Sequence, residues 1–375
     1  MTGAVEGPGP GTLLGQLERL VTAESPSDDV PLTHACADVV ADLVHDLLGE
    51  RPQRLEVEGR PHLLLRSGAE RPVLLLAHLD TVWPAGTTAH WPFAVDGDRA
   101  TGPGVFDMKA GLLQGLHAIR SCGVIGADLL VTSDEEIGSP SSRALIEREA
   151  GRSRAVLVLE PSVEGAPKTA RKGVSMYRLL VHGRASHAGL EPEAGVNALV
   201  ELAAQVGVLA GLADAGHGTT VTPTVASAGT TTNTVPAAAQ VALDVRAWTA
   251  AEQQRVDAAL RSLRPTVPGA VLELLGGVNR PPMEAAASAE LMGLASRCAA
   301  DLGLPLPAGR AVGGGSDGNF TAGLGVPTLD GLGAVGDGAH ALGEWVSVAA
   351  LAGRTALVAR LLRALLSDDA PGVSA

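Results

Sequence analysis

Aromatic side chains are nearly missing from this chain: they make up 2% of 375 residues, with a single tyrosine, three phenylalanines and four tryptophans. The interior must therefore be closed by Ala, Val, Leu and Gly, and a hydrophobic content of 46% supplies enough of them. Cysteine is almost as scarce. Cys36, Cys122 and Cys298 are odd in number, far apart and without a C-x-x-C pair, so neither a disulfide framework nor a thiolate metal site is expected. Positive charge is in deficit too: 28 Lys and Arg against 41 Asp and Glu leave a net charge of −13, which argues against a nucleic-acid or anionic-membrane partner. No apolar run approaches the roughly 20 residues that cross a bilayer. The opening MTGAVEGPGPGTLLGQ has neither the basic start nor the apolar core of a signal peptide. The expectation is a soluble, cytoplasmic protein.

What the sequence does contain is a recurring event: apolar runs that stop abruptly at ionisable groups. PVLLLAHLD ends in His78 and Asp80, ADLLVTSDEEIGS in Asp134, Glu135 and Glu136, and AVLVLEP in Glu160. Asp107, in GPGVFDMKAG, lies between the first and second. Taken alone, an acidic run before Gly138 and Pro140 reads as a solvated turn. Its repetition changes the reading, because an open α/β sheet gathers functional groups where its strands end. His78, Asp107, Glu135, Glu136 and Glu160 then converge, and imidazole with several carboxylates and no thiolate is a ligand set for divalent metals. Asp107 also stands just before a helical pattern ending at Gly123, where a carboxylate serves equally as a helix cap.

At this length two domains are expected. Thr12–Ala23 and Pro31–Leu48 read as helices, with strands near Arg54–Glu58, His62–Arg66 and Val73–Ala77. Residues 81 to 101 show no period and read as an ordered loop whose Trp83, Trp91 and Phe93 line a site mouth. From Gly173 the order is strand (Val174–Val181), helix (Glu193–Leu212), strands (Val221–Ala228, Ala238–Ala247), helix (Ala250–Leu263) and strand (Ala270–Leu274), with Thr249 and Glu252 as a capping box. That β-α-β-β-α-β order predicts a ferredoxin-like α+β unit, residues 173–280, inserted between two parts of an α/β domain, residues 1–172 and 281–375. Hinges are expected near Lys172 and Gly277. The insert's exposed sheet edge and helix offer a surface for a homodimer. Ser288–Leu302 and Val346–Leu366 are further helices.

The motifs AHLDTV, GPGVFDMKAG, TSDEEIGS, LEPS, GRASHAG, TNTVP, GGGSDG and GDGAH, in this order, resemble the di-zinc metallopeptidases and deacylases that include glutamate carboxypeptidase, acetylornithine deacetylase and succinyl-diaminopimelate desuccinylase. GRASHAGLEPEAGVNAL most resembles the glutamate carboxypeptidase branch. The resemblance implies a three-layer catalytic domain carrying an inserted lid and dimerisation domain, and two divalent metals, Zn²⁺ favoured over Co²⁺ or Mn²⁺. It makes Asp107 the bridging carboxylate, His78 and Glu160 the other ligands of one metal, and Glu136 and His340 those of the second. Asp80 orients His78, Glu135 is the general base, and His187 reaches the scissile carbonyl from the insert, which requires domain closure. Asn233, Arg246, Gly315 and Ser316 match substrate-binding positions. By default Arg246 is only the polar face of the strand VALDVRA. The expected activity is hydrolysis of an amide or peptide bond beside a free carboxylate, by a carboxypeptidase first, an N-acyl-amino-acid deacylase second. A non-catalytic binding protein on the same fold is the rival, against which an intact Glu135 speaks.

Overall fold

The computed structural model describes residues 10–367, so the first nine residues of the N-terminal stretch read above lie outside the described residues. The chain forms two compact units: one takes in the described residues up to Ala170, Ala285–Val312 and those from Ser316 on, the other Arg171–Glu284 with Gly313–Gly315.

In the first unit a six-stranded sheet runs Gln53–Val57, Arg60–Leu65, Ala127–Thr132, Val73–His78, Ala155–Val158 and Thr328–Leu329. The last four strands are parallel and the first two antiparallel. Every residue of Val73–His78 and Ala127–Thr132 is buried, because helices cover both faces. Alternate residues divide between them as strand geometry dictates. Leu75, Ala77, Leu129, Val131 and Leu157 meet the helices Val30–Leu48, Ala110–Cys122 and Val348–Leu366. Leu74, Leu76, Leu130, Val156 and Val158 meet Arg143–Gly151 and Phe320. This is the three-layer α/β class expected, closed by aliphatics at about 1.5–3 kcal/mol for each side chain fully buried.

The second unit is a four-stranded antiparallel sheet ordered Thr220–Ala228, Ala238–Ala247, Gly173–His182, Val271–Arg280. Helices Ala198–Ala210 and Ala250–Arg261 cover one face through Leu202, Leu209, Val256 and Leu260 against Tyr177, Leu179, Val241 and Leu243. That is the ferredoxin-like arrangement. The first helix also buries polar side chains. Glu201 and Gln205 are buried while Leu199, Val200 and Val208 face outward. Glu201 accepts hydrogen bonds from Gln205 Nε2 (2.7 Å), Thr266 N (2.8 Å) and Val267 N (2.6 Å), so the carboxylate fastens a distant turn.

Four local expectations are corrected. Residues 81 to 101 hold a short helix, Thr87–His90, and a hairpin of Ala94–Asp96 and Arg99–Thr101, elements too short to show a period. The helix expected from Glu193 starts at Ala198, where the Asn197 side chain accepts from Leu199 N and Val200 N. The last strand of the insert continues beyond Leu274 to Arg280, through the segment expected to be a hinge. It does so because Gly276 adopts φ 88°, and a Cβ there would lie 2.2 Å from Met176 O. Thr249 caps Glu252 N, but the Glu252 carboxylate binds Arg255 and Thr219, leaving the capping box half made.

Candidate metal centre and active site

The parallel strands bring the first candidate ligands together. His78 pairs with Thr132 across one strand boundary and Leu76 with Val158 across the other, so His78, the turn after Thr132 and Glu160 emerge at one sheet edge. Asp107 sits on an irregular turn before the helix Ala110–Cys122. His340, on a loop after the sheet is complete, holds φ 63°, a left-handed conformation uncommon outside glycine.

The Asp107 carboxylate faces two ways. Its Oδ1 lies 3.4 Å from His78 Nε2, and its Oδ2 lies 3.4 Å from His340 Nε2. His78 Nε2 is also 3.6 Å from Glu160 Oε1, and His340 Nε2 is 3.1 Å from Glu136 Oε2. Two donor groups result, His78–Asp107–Glu160 and Asp107–Glu136–His340, each with its ligand atoms close enough to hold one ion.

The donor chemistry fits cations. His78 Nδ1 lies 2.9 Å from the Asp80 backbone carbonyl, which only accepts, so Nδ1 carries the hydrogen and Nε2 is aimed at two carboxylates. Buried His78 Nε2, Asp107 Oδ1 and Glu136 Oε1 have no hydrogen-bond partner. Divalent ions, one in each donor group, would give these atoms partners. The electrostatics say the same. Burial opposes charge on His78, yet Asp107, Asp80 and Glu160 raise its pKa well above the usual imidazole range. Hydrogen bonds to Asp107 and Glu136 push His340 up to about 10. Burial pushes Glu136 up to about 7, despite the hydrogen bond from His340. Burial also penalises the Asp107 carboxylate, but His340 and His78 outweigh it and hold its pKa well below the normal range.

Asp80 serves a broader purpose than orienting His78. Its Oδ1 accepts from Glu135 N (3.2 Å), and its Oδ2 from Glu136 N (3.2 Å) and Ser27 Oγ (2.7 Å). The carboxylate thereby fixes the turn that carries both glutamates, while His78 relies on the Asp80 backbone and meets Oδ1 only at 3.5 Å. Glu135 is buried beside Glu136 on the short turn Glu135–Ile137. The third member of the acidic run does other work: Asp134 accepts from Ser141 N (2.7 Å) and Ser142 N (3.2 Å) and so shapes the turn from below.

In the second unit, His187 is exposed on a turn beside Asn233, where Ala188 N donates to Asn233 O (2.9 Å). His187 Nδ1 accepts from Gly189 N and Leu190 N, both 3.1 Å. Backbone donors on Nδ1 leave Nε2 as the nitrogen that carries hydrogen, a tautomer suited to donating outward. Arg246 is clamped to Asp244 by two bonds of 2.8 Å, and the Gly315 carbonyl accepts from Arg171 (3.1 Å). In the first unit the Ser316 hydroxyl is buried and donates to Asp330 Oδ2 at 2.6 Å, so this side chain braces a turn rather than presenting itself to a ligand.

Two residues near the ligands escaped the sequence reading. Lys168 Nζ lies 3.8 Å from Glu160 Oε2. Glu344, four positions after His340, is fully buried and accepts from the Asp107 backbone amide at 2.8 Å. An acid set between Gly343 and Trp345, four positions after His340, was the available signal for it.

Comparison with known proteins gives a consistent picture. The sequence profile of peptidase family M20/M25/M40 matches residues 74–364. Carboxypeptidase G2 of Pseudomonas sp. (strain RS-16) is 34% identical over 305 residues, which is 77% of this chain and 73% of that protein. Acetylornithine deacetylase of Myxococcus xanthus is 29% identical over 213 residues, 53% of this chain and 56% of that protein. Among solved structures, an M20 family metallo-carboxypeptidase from Sulfolobus solfataricus superposes with a TM-score of 0.73 at 17% identity, covering 97% of this chain and 99% of that one, a likeness of fold.

Proposed function

Because the chain belongs to peptidase family M20/M25/M40 and is a hydrolase of that family, we propose that it is a two-metal exopeptidase releasing a C-terminal amino acid such as glutamate from an amide bond beside the free carboxylate. The observation that carries this reading is the Asp107 carboxylate, whose two oxygens face separate donor groups. His78 and Glu160 complete one metal site, and Glu136 and His340 the other. Two divalent ions held there, Zn²⁺ in preference to Co²⁺ or Mn²⁺, would polarise the scissile carbonyl and acidify water.

The chain's own groups do the rest. Glu135 takes the proton of the attacking water and returns it to the leaving nitrogen. The task needs a carboxylate next to a ligand that is not itself one, and Asp80 fixes the two adjacent backbone amides so that Glu135 and Glu136 divide the roles. His187, with hydrogen on Nε2, is the donor to the developing oxyanion. Asn233 and the Gly315 backbone contact the substrate. Arg246 meets a substrate carboxylate only by leaving Asp244.

The likeness to acetylornithine deacetylase supports an N-acyl-amino-acid deacylase as a second reading of the same chemistry. A screen of N-acyl amino acids and C-terminal dipeptides against the zinc-loaded protein, reading released amine, separates the two. Acyl-glutamates and glutamyl peptides should be turned over fastest. Absence of turnover in the zinc, cobalt and manganese forms alike would reject hydrolysis of this substrate class.

A second copy of the chain is the proposed partner of the inserted unit. Support comes from the outward Leu199, Val200 and Val208 beside the unpaired sheet edge Thr220–Ala228, where Val225 is also exposed. Sedimentation of Val200→Glu against the unaltered protein tests it. Three free cysteines, two of them buried, suit a reducing cytoplasmic setting. Among the described residues no helix is long and apolar enough to cross a membrane.

A further inference from the structure

Glu344 lies outside the two donor groups, yet it is fully buried and all its acceptor capacity is spent on one place. Oε1 accepts from Phe106 N (2.7 Å) and Asp107 N (2.8 Å). Oε2 accepts from Gly104 N (3.0 Å) and the Trp83 indole Nε1 (3.0 Å). The stretch before Asp107 is irregular, so these amides have no helical carbonyls to meet, and one carboxylate gathers three of them. Glu344 also shares a loop with His340, and its own amide donates to Ala341 O (3.1 Å). One short loop therefore provides a ligand and the fixture that holds the carboxylate facing that ligand. Trp83, stacked edge-on against Trp91 at 5.0 Å, is tied to the same point.

We propose that Glu344 is a positioning residue for the dinuclear centre: it sets the backbone of Asp107, and through that bridging carboxylate it governs affinity at both metal sites together. The inference rests on the two-metal reading above and adds a residue that touches neither metal nor substrate. A residue serving only to stabilise the loop would alter melting temperature and leave the folded protein's metal affinity unchanged. A residue acting through Asp107 must move both affinities in parallel, because Asp107 belongs to both donor groups.

The test is Co²⁺ titration of the metal-stripped full chain, following visible absorption and chelator competition. In Glu344→Gln one acceptor oxygen becomes a donor facing two donors. Both Co²⁺ affinities should fall by about 10- to 100-fold, the range seen when outer partners of metal ligands are removed, with an altered absorption band in what still binds. Glu344→Asp keeps the charge and shortens the reach. It should show a smaller loss, still shared by both sites, and it decides the matter if Glu344→Gln does not fold. Unchanged affinity and spectrum in folded Glu344→Asp or Glu344→Gln, or loss at one site alone, would overturn the proposal. The unaltered protein is the separate control: if it binds fewer than two Co²⁺ ions, the two-metal reading itself fails.

Discussion

Replacing Asp80 by Asn separates two ways in which one carboxylate can serve the centre. Asn keeps the size of the side chain but turns one acceptor oxygen into a donor. Whichever way the amide sits, it faces either Glu135 N–H or the Glu136 N–H and Ser27 hydroxyl with the wrong group. A charge-assisted bond of this kind is worth about 1.5–3 kcal/mol, so the glutamate turn should loosen by roughly 10- to 100-fold. The His78 bond runs to the Asp80 backbone carbonyl and survives the substitution. The loss should therefore fall on the Asp107–Glu136–His340 group. Co²⁺ titration in a Glu160→Ala background isolates that group, and a His340→Ala background isolates the His78 group. Affinity should drop in the first and change by less than about threefold in the second. The reverse pattern would show that the carboxylate acts through His78 and would refute the reasoning.

Asp107→Ala should lose both metals, whereas Glu160→Ala and His340→Ala should each keep one; metal analysis of purified variants decides, and two ions in Asp107→Ala would end the bridging assignment. Glu135→Gln should lower kcat by roughly 10²–10⁴-fold with metal content intact, and loss of metal instead would exchange its role with that of Glu136. His187→Ala should cut kcat strongly with both metals retained, so a near-normal rate would remove this histidine from the chemistry. Burial of His117 beside Gln16, with Arg120 near, pulls its pKa down from 6.5 to about 4. The unfolded chain then binds the proton more readily, so this contribution is full above pH 6.5 and is lost as pH falls toward 4. His117→Gln should lose about 2 kcal/mol less than the unaltered protein between pH 7 and pH 5, measured by denaturant midpoints, and identical acid sensitivity would contradict it.

Part of the candidate donor set was legible because His78, Glu136 and Glu160 follow buried strands, and a run such as PVLLLAH fixes where the strand must end. The insert was legible for a similar reason, its helices and strands being long enough to show their periods. What escaped was set by contacts remote in sequence. Glu344 meets Gly104 across 240 positions, and no local pattern announces that a buried acid will collect backbone amides. Ser316 and Arg246 matched family positions, but a motif does not reveal that Asp330 and Asp244 already occupy them. The hairpin at Ala94–Thr101 has strands of three residues, too short for alternation to register. In the last strand of the insert, Gly276 and Gly277 read as a break, whereas the close Met176 carbonyl makes glycine the residue that lets the strand pass.

The order of the ligands along the chain also has a consequence in time. His78, Asp107 and Glu160 precede the insert, while His340 and Glu344 follow it, about 180 positions after Glu160. A ribosome adding roughly 5–20 residues per second needs about 10–35 s to cover that span. A nascent chain therefore carries all three residues of the first donor group long before the second can be complete. During that interval Asp107 has His78 to face Oδ1 but none of the late loop for Oδ2 or for its backbone amide. The two proposed metal sites can thus be completed only in sequence, the His78 trio first.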